Sequence, residues 1–292
     1  TDSDWGTCKT MNLTFILGIV GGFILLIIGM SLGDGEGAVL GLFQFGQLAN
    51  FGDAASVFIV LGGTLATIIA GHPGKMLAKF PKHLGIIFNQ KKFNPTAVID
   101  EVVEFAQIAR KNGLLALEER ANQLEDPFFK KSIMLIVDGN DSDKVRDMLT
   151  SDIEQLSTRH DDVASMYEKA SAAAPAFGMV GTLIGLINML VNMDPENGSS
   201  SIGKDMGTAL ITTFYGVILA NLIFNPIANN LRTRDEEECL CRQLIVEGVM
   251  AIQSGENPKF IREKLEGYLE QNATGGGSEK KKGRGGRGKE SE

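Results

Sequence analysis

Two apolar segments in the second half of the chain carry hydroxyl side chains but no charged residue. They comprise residues 170–193 and 206–230, and each reaches the length of about 20 apolar residues that a helix needs to cross a bilayer. Their hydroxyl side chains include Thr182, Thr208, Thr212, Thr213 and Tyr215. Hydroxyl oxygens can help a cation through a membrane by replacing part of its hydration shell. Because neither segment holds a carboxylate, the sequence predicts that a partner protein supplies the charged ion carrier.

Each of these segments also contains a proline. Pro175 and Pro226 each remove a backbone hydrogen bond and can kink a helix. Kinks near one end of each segment could act as hinges. Prolines are also more frequent in membrane helices than in soluble ones, so spacing alone leaves both interpretations open.

Two further apolar segments, residues 13–32 and 54–71, bring the predicted number of membrane-spanning helices to four. The connections at residues 33–53 and 194–205 are rich in acidic side chains, and Lys204 is their single basic residue. Lysines and arginines instead follow the second span and flank the third and fourth. By the positive-inside rule, both termini and the long segment between spans 2 and 3 are cytoplasmic.

The sequence therefore predicts an all-α integral membrane protein. Four transmembrane helices are expected, with a helical cytoplasmic domain between spans 2 and 3 and long cytoplasmic extensions of spans 3 and 4. The predicted parts are a leader over residues 1–10, spans 1 and 2 over 11–72, the cytoplasmic domain over 73–169, spans 3 and 4 over 170–230, cytoplasmic C-terminal helices over 231–273, and a disordered basic tail over 274–292.

Helix start and stop signals divide the cytoplasmic segment. Proline preceded by a capping Asn or Asp is typical of a helix start, and glycine is typical of a helix end. These signals predict helices over residues 95–112, 114–124, 128–137 and 258–269, a long helix from residue 143 into the third span, and an extension of the fourth span to residue 253.

Four charged residues flank the turn between the first two of these helices: Arg110, Lys111, Glu118 and Glu119. Charges of this kind usually lie on a solvated helix surface, and spacing alone favours that interpretation. A hairpin with basic residues on one limb and acidic residues on the next could also dock a partner with the complementary pattern.

The sequence gives little support for a metal site, an enzyme or nucleic-acid binding. The three histidines are scattered, and Cys239 and Cys241 have no matching Cys or His pair, so no metal site is predicted. The sequence contains no phosphate-binding loop and no pair of nucleophile and base, so we expect neither an enzyme, nor catalytic residues, nor a cofactor. The basic tail lacks interleaved aromatic residues, which argues against nucleic-acid binding.

Several motifs resemble the MotA/PomA family of flagellar motor stator subunits. The third span of that family is similar to APAFGMVGTLIGL at residues 174–186, and its fourth span to ALITTFYG at 209–216 with NPIA at 225–228. The family's rotor-contacting hairpin is similar to ARKNGLLALE at 109–118, and its pattern after the fourth span to residues 245–258. The resemblance covers about residues 11–272, with the motifs in the family's order.

The resemblance implies a subunit of the bacterial cytoplasmic (inner) membrane that forms a homopentamer. Its expected partner is a MotB/PomB-type protein with a single span, a peptidoglycan anchor and the ion-binding aspartate. Pro175 and Pro226 match prolines linked to torque, and the charged hairpin residues match those that meet the rotor switch protein FliG.

The resemblance also places Thr182 and Thr213, together with the adjacent Thr212, along the ion path. Some proton-driven relatives have alanine where this chain has Thr182. A proton needs only the partner's carboxylate, whereas a hard cation that sheds water gains from hydroxyl ligands. Between Na⁺ and H⁺ as the driving cation, we therefore favour sodium.

Three alternatives belong to other classes. An ExbB/TolQ-like energiser of envelope transport would have three spans and a cytoplasmic loop after the first, whereas this loop follows the second of four. A self-sufficient channel would need intramembrane ionisable residues or interrupted helices in inverted repeats. A passive membrane scaffold predicts that Pro175→Ala leaves motility unchanged.

Overall fold

The computed structural model describes residues 10–11, 13–31, 45–77, 89–90, 93–191 and 198–275. Most of the predicted leader, most of the predicted basic tail and parts of both predicted external connections lie outside these residues. The described chain is almost entirely helical, as the sequence predicts.

Most of the described elements are helices. In chain order they are β1 Thr10–Met11, α1 Leu13–Ser31, α2 Ala54–Val57, α3 Gly63–Gly71, α4 Gly74–Leu77, β2 Asn89–Gln90, α5 Pro95–Asn112, α6 Leu117–Ala121, α7 Pro127–Val137, α8 Ser142–Val191, α9 Gly198–Ile218, α10 Asn225–Gln253 and α11 Pro258–Gly275. Short 3-10 helices occupy Phe45–Phe51 and Leu114–Ala116. Strands β1 and β2 form a two-residue antiparallel pair.

Two π-helical segments interrupt otherwise α-helical spans. Phe58–Gly62 joins α2 to α3, and Leu219–Phe224 joins α9 to α10. Segments of this kind insert an extra residue into a helical turn and are frequent at functional sites.

Four helical stretches of the described chain are long and apolar enough to cross a membrane. They are Thr14–Ser31, Ala54–Gly71, and parts of the helices Ser142–Val191 and Ile202–Gln253. We call them spans 1 to 4. The prediction of an all-α membrane protein with four spans is confirmed.

The third and fourth spans continue well beyond the length that a membrane requires. Helix α8 has 50 residues and passes through Pro175 without ending. The fourth span continues through the π segment to Gln253. Both extensions match the sequence prediction.

Local capping explains where the shorter helices begin and end. Asn94 Oδ1 accepts a hydrogen bond from the amide of Ala97 at 3.4 Å, and Asp126 Oδ1 accepts one from the amide of Phe128 at 2.9 Å. Gly113 and Gly139 end helices with φ of 84° and 74°, a left-handed region that favours glycine.

Two predicted helices differ from the structure in their bounds. The helix expected over residues 114–124 consists of a 3-10 turn and the short α6, which ends at Ala121. Asp126 is extended (φ −79°, ψ 113°) because the residue before a proline avoids the helical region, so the chain leaves the helix earlier. Helix α11 is longer than predicted and ends at Gly275.

The chain divides into two compact units. Among the described residues, 93–158 and 235–275 form the helical unit, and the remainder up to residue 90 together with 159–234 forms the membrane unit. The helical unit has an apolar core from α5, α6, α7, α11 and parts of α8 and α10. Within it, the rings of Phe105 and Phe129 lie 5.3 Å apart. A Cβ atom at Gly248 would lie 2.5 Å from Val102 Cγ1, so α10 and α5 touch closely.

Glycines also set the packing of the membrane unit. A Cβ atom at Gly22 would lie 2.6 Å from Leu222 Cδ1, so spans 1 and 4 are in contact there. The ring of Phe177 packs directly on Gly63 and joins span 3 to span 2. These small-residue contacts are the means by which membrane helices approach each other.

Candidate functional site

Thr182 and Thr213 meet between spans 3 and 4. Their Oγ1 atoms are 2.7 Å apart. Thr182 Oγ1 donates to the carbonyl oxygen of Gly178 at 3.0 Å, and Thr213 Oγ1 lies 3.5 Å from the same carbonyl oxygen. Both threonines are half-buried. Two hydroxyls and one backbone carbonyl, which we call the oxygen cluster, therefore converge in an apolar part of the protein.

The close approach of spans 3 and 4 creates this cluster. A Cβ atom at Gly178 would lie 3.1 Å from the backbone of Thr212 and Thr213, and one at Gly185 would lie 2.8 Å from Ala209 Cβ and from the carbonyl oxygen of Asp205. Any side chain at these positions would push the two helices apart and separate the hydroxyls.

Thr212 occupies a different environment from its neighbour. Its side chain is fully buried, and a Cβ atom at Gly181 would lie 2.5 Å from Thr212 Cγ2. Its hydroxyl lies within hydrogen-bonding distance of the carbonyls of Thr208 (3.1 Å) and Ala209 (2.8 Å), both in its own helix. The structure thus shows Thr212 packed in the seam between the helices, and its role along an ion path stays a prediction.

A polar cluster at the start of span 2 was not singled out from the sequence. Asp53 caps α2 by accepting hydrogen bonds from the amide of Ser56 at 3.0 Å and from the Ser56 hydroxyl. The same hydroxyl lies 3.4 Å from the carbonyl oxygen of Thr208, in span 4. An aspartate directly before an apolar helical segment is a capping signal that could have revealed it. Nearby, the Tyr215 hydroxyl donates to the carbonyl of Phe51.

Of the two predicted hinge prolines, Pro226 adjoins an irregular turn, whereas Pro175 lies within a continuous α-helix. Pro175 is inside α8. Pro226 is the second residue of α10, a helix that begins directly after the π segment Leu219–Phe224. A Cβ atom at Gly216 would lie 2.7 Å from the carbonyl oxygen of Ala174 and 3.0 Å from Pro175 Cα. Span 4 therefore packs against span 3 at the proline itself.

The charged hairpin belongs to the helical unit and is open to solvent. Arg110, Lys111, Glu118 and Glu119 are all exposed, and no ion pair joins any of them to another residue within the described part of the chain. Leu115, at the turn between the limbs, is 76% exposed. The structure thus leaves the four charges exposed on the two sides of one turn, and their role in binding stays a prediction.

Glu101 is a partly buried carboxylate on the first limb of this hairpin. Burial raises its pKa to about 7; the positive charge of Arg120 opposes the shift, and the negative charges of Glu104 and Asp126 add to it. Arg120 Nε donates to Glu104 Oε1 at 3.3 Å and Nη1 to Gln123 Oε1 at 3.1 Å, so its guanidinium is already shared.

This shift predicts a pH dependence of stability. Because the pKa is raised above its ordinary value of 4.5, the folded state holds a proton that the unfolded chain has released between pH 4.5 and about 7. Stability should fall as pH rises through that window, by about 1–2 kcal/mol once the exposed part of the group is discounted. The Glu101→Gln variant should show a flatter profile of thermal-unfolding midpoint against pH.

The control for this prediction is Glu125→Gln, which removes an exposed carboxylate from the same unit. If Glu101→Gln and Glu125→Gln flatten the profile equally, the effect is one of net charge and the interpretation of Glu101 is wrong.

Charged side chains are absent from the apolar parts of the spans, residues 13–31, 54–71, 170–191 and 206–230. Within the described residues, no group of three or more His, Cys, Asp or Glu side chains is placed to hold a metal ion. Four membrane-length helices, two of them with long helical extensions, define a multi-pass helical membrane protein.

Comparison with known proteins gives the family. The profile of the MotA/TolQ/ExbB proton channel family matches residues 120–243. Motility protein A of Borreliella burgdorferi is 38% identical over 259 residues, 89% of this chain and 94% of the relative. Chemotaxis protein PomA of Vibrio alginolyticus is 40% identical over 261 residues, 89% of this chain and 96% of the relative.

Solved structures agree with these relatives. The C. jejuni MotAB structure superposes with a TM-score of 0.77 at 26% identity, covering 89% of this chain and 96% of that one. The flagellar MotAB stator complex from Bacillus subtilis gives 0.76 at 29% identity, with coverage of 90% and 98%. The chain belongs to the MotA/PomA family of flagellar motor stator subunits, a family of motor and channel proteins of the inner membrane rather than of enzymes.

Proposed function

We propose that this chain is the ion-conducting subunit of a flagellar stator and couples cation flow to torque on the rotor. The observation that carries the proposal is the oxygen cluster of Thr182, Thr213 and Gly178, which lies in spans that contain no carboxylate. Such a cluster can replace water around a passing cation, but it offers no fixed negative charge to hold one. A second protein must therefore supply the charge.

A MotB/PomB-type protein fits this requirement. The chains that resemble this one in solved structures belong to MotAB complexes. We propose that five copies of this chain surround a single-span, peptidoglycan-anchored partner whose membrane aspartate binds the ion. In this arrangement both termini and the helical unit are cytoplasmic, as the distribution of lysine and arginine favours.

Sodium is the favoured driving ion. Two hydroxyls and a carbonyl that converge within hydrogen-bonding distance suit a hard cation that sheds part of its hydration shell. A proton would need only the partner's carboxylate and would make the pair of threonines dispensable. The convergence of these oxygens therefore supports Na⁺ over H⁺.

The energy of one ion sets the scale of each motor step. One unit charge that moves across 100 mV releases about 2.3 kcal/mol. That amount is comparable to a few hydrogen bonds, so many small steps around a ring suit it better than one large rearrangement. The exposed hairpin would deliver these steps to the rotor protein FliG through its charges.

Swimming speed as a function of external sodium tests this proposal. The chain and its cognate partner would be expressed in a host that lacks its own stators, at fixed pH and membrane potential. Speed that rises and saturates with sodium is the expected result. Speed that follows the proton gradient and ignores sodium would keep the motor function and overturn the choice of ion. Absence of swimming with both proteins in the membrane would contradict the proposed function.

A further inference from the structure

The fourth span changes its hydrogen-bonding pattern just before Pro226. In the π segment Leu219–Phe224, the amide of Asn225 donates to the carbonyl oxygen of Ala220, five residues earlier. Pro226 has no amide hydrogen, so the next bond of this pattern cannot form. The carbonyl of Asn221, the residue after Ala220, therefore receives no bond of this pattern from its own helix.

The third span has a matching irregularity at Pro175. In a regular helix the amide of residue 175 would donate to the carbonyl of Ser171, four residues earlier, and proline cannot make that bond. Both Pro175 and Ser171 lie inside α8, which continues through this position. Ser171 is thus the residue whose backbone bond is lost to the proline.

The side chain of Ser171 connects the two irregular turns. Its hydroxyl donates to the carbonyl oxygen of Ala220 at 3.2 Å, and the two residues are 7% and 3% exposed. The backbones also touch here, because a Cβ atom at Gly216 would lie 2.7 Å from the carbonyl oxygen of Ala174. A buried hydrogen bond therefore joins the turn weakened by Pro175 to the π turn that precedes Pro226.

We propose that Ser171 is a positioning residue that makes these two turns move as one when an ion passes. The inference rests on the proposed stator function. The oxygen cluster lies on the same helices, about 16 Å from Ser171 along span 3 and about 10 Å from Ala220 along span 4 at the helical rise. A displacement at the cluster reaches both turns, and the Ser171 hydroxyl keeps the displacement common to both helices. Without it, each helix still carries its ion ligands but flexes separately at its own proline.

Torque and ion flux separate this role from a merely structural one. Each variant would be expressed as the full chain with its partner, and torque per stator would be measured from speed steps of a motor under high load. Cation flux through the same complex would be measured in liposomes. For Ser171→Ala we expect torque per stator to fall at least twofold while flux and the amount in the membrane stay unchanged. Ser171→Thr, which keeps the hydroxyl, should retain both.

Two further variants complete the test. Ser165→Ala is the matched control, because the Ser165 hydroxyl donates to the carbonyl of Asp162 in its own helix at 3.0 Å. It should change neither readout. Should Ser171→Ala fail to reach the membrane, Ser171→Cys can replace it, because it nearly keeps the side-chain volume and weakens the hydrogen bond. Ser171→Cys should show a smaller fall in torque per stator, again with unchanged cation flux.

Unchanged torque in the Ser171 variants, or torque and flux that fall in the same proportion, would overturn the inference. A wild-type complex that gives neither rotation nor flux would instead contradict the proposed function.

Discussion

Replacing Thr182 by valine is expected to raise the external sodium concentration for half-maximal motor speed by about tenfold, which corresponds to roughly 1.4 kcal/mol. Valine keeps the β-branched shape of threonine but removes the oxygen that lies 2.7 Å from Thr213 Oγ1. The oxygen cluster then loses one of its side-chain ligands while the packing of spans 3 and 4 is preserved. The measurement is speed against sodium at fixed pH and membrane potential. Thr182→Ala should act in the same direction.

Two variants separate ion coordination from packing. Thr182→Ser keeps the oxygen and should retain the sodium dependence of the wild type. Thr67→Val removes an exposed hydroxyl that donates to the carbonyl of Gly63 within span 2 and is not one of the oxygens of the cluster, so the sodium dependence should not change. Unchanged sodium dependence in Thr182→Val would remove the argument for sodium and leave Thr182 as a packing residue.

Reversing the charges of the hairpin is expected to abolish most of the torque while ion flux continues. Under the proposed rotor contact, Arg110→Glu with Lys111→Glu, or Glu118→Lys with Glu119→Lys, would place like charges opposite each other. We expect docking to weaken roughly tenfold or more. Substitutions at exposed positions of this kind usually change folding stability by less than about 0.5 kcal/mol. Swimming speed and liposome flux of the same complexes would be compared.

The controls for the hairpin concern its position and its partner. Lys144→Glu reverses an exposed charge elsewhere in the helical unit and should leave swimming unchanged. Complementary reversal on FliG should restore part of the speed of the hairpin variants. Normal swimming in both double variants would show that these charges do not form the rotor contact.

Much of the fold could be predicted from residue types alone, because the decisive signals are local. Apolar length defined the four spans, and a capping residue followed by proline marked the starts of α5, α7 and α11. The absence of a breaker between residue 143 and Pro175 predicted the long α8. The residue types of the candidate site were visible too, since threonines stand out in spans that are otherwise apolar.

The geometry between helices could not be predicted in this way. An apolar span has no polar face, so nothing in its pattern marks a π segment such as Leu219–Phe224. Thr182 and Thr213 are 31 residues apart, and the close glycine contacts of spans 3 and 4 bring them together. The same crossing places Ser171 against Ala220, 49 residues away. A serine in an alanine-rich stretch gives no sign of that bond.

Cation flux into liposomes tests the central claim most directly. Three preparations would be compared at equal protein density: this chain alone, the chain with its partner, and the chain with a partner whose membrane aspartate is replaced by asparagine. The spans of this chain hold oxygen ligands without a carboxylate. We therefore predict sodium flux only in the second preparation. Sustained flux through the chain alone would contradict the account, because the charge carrier would then reside in this subunit.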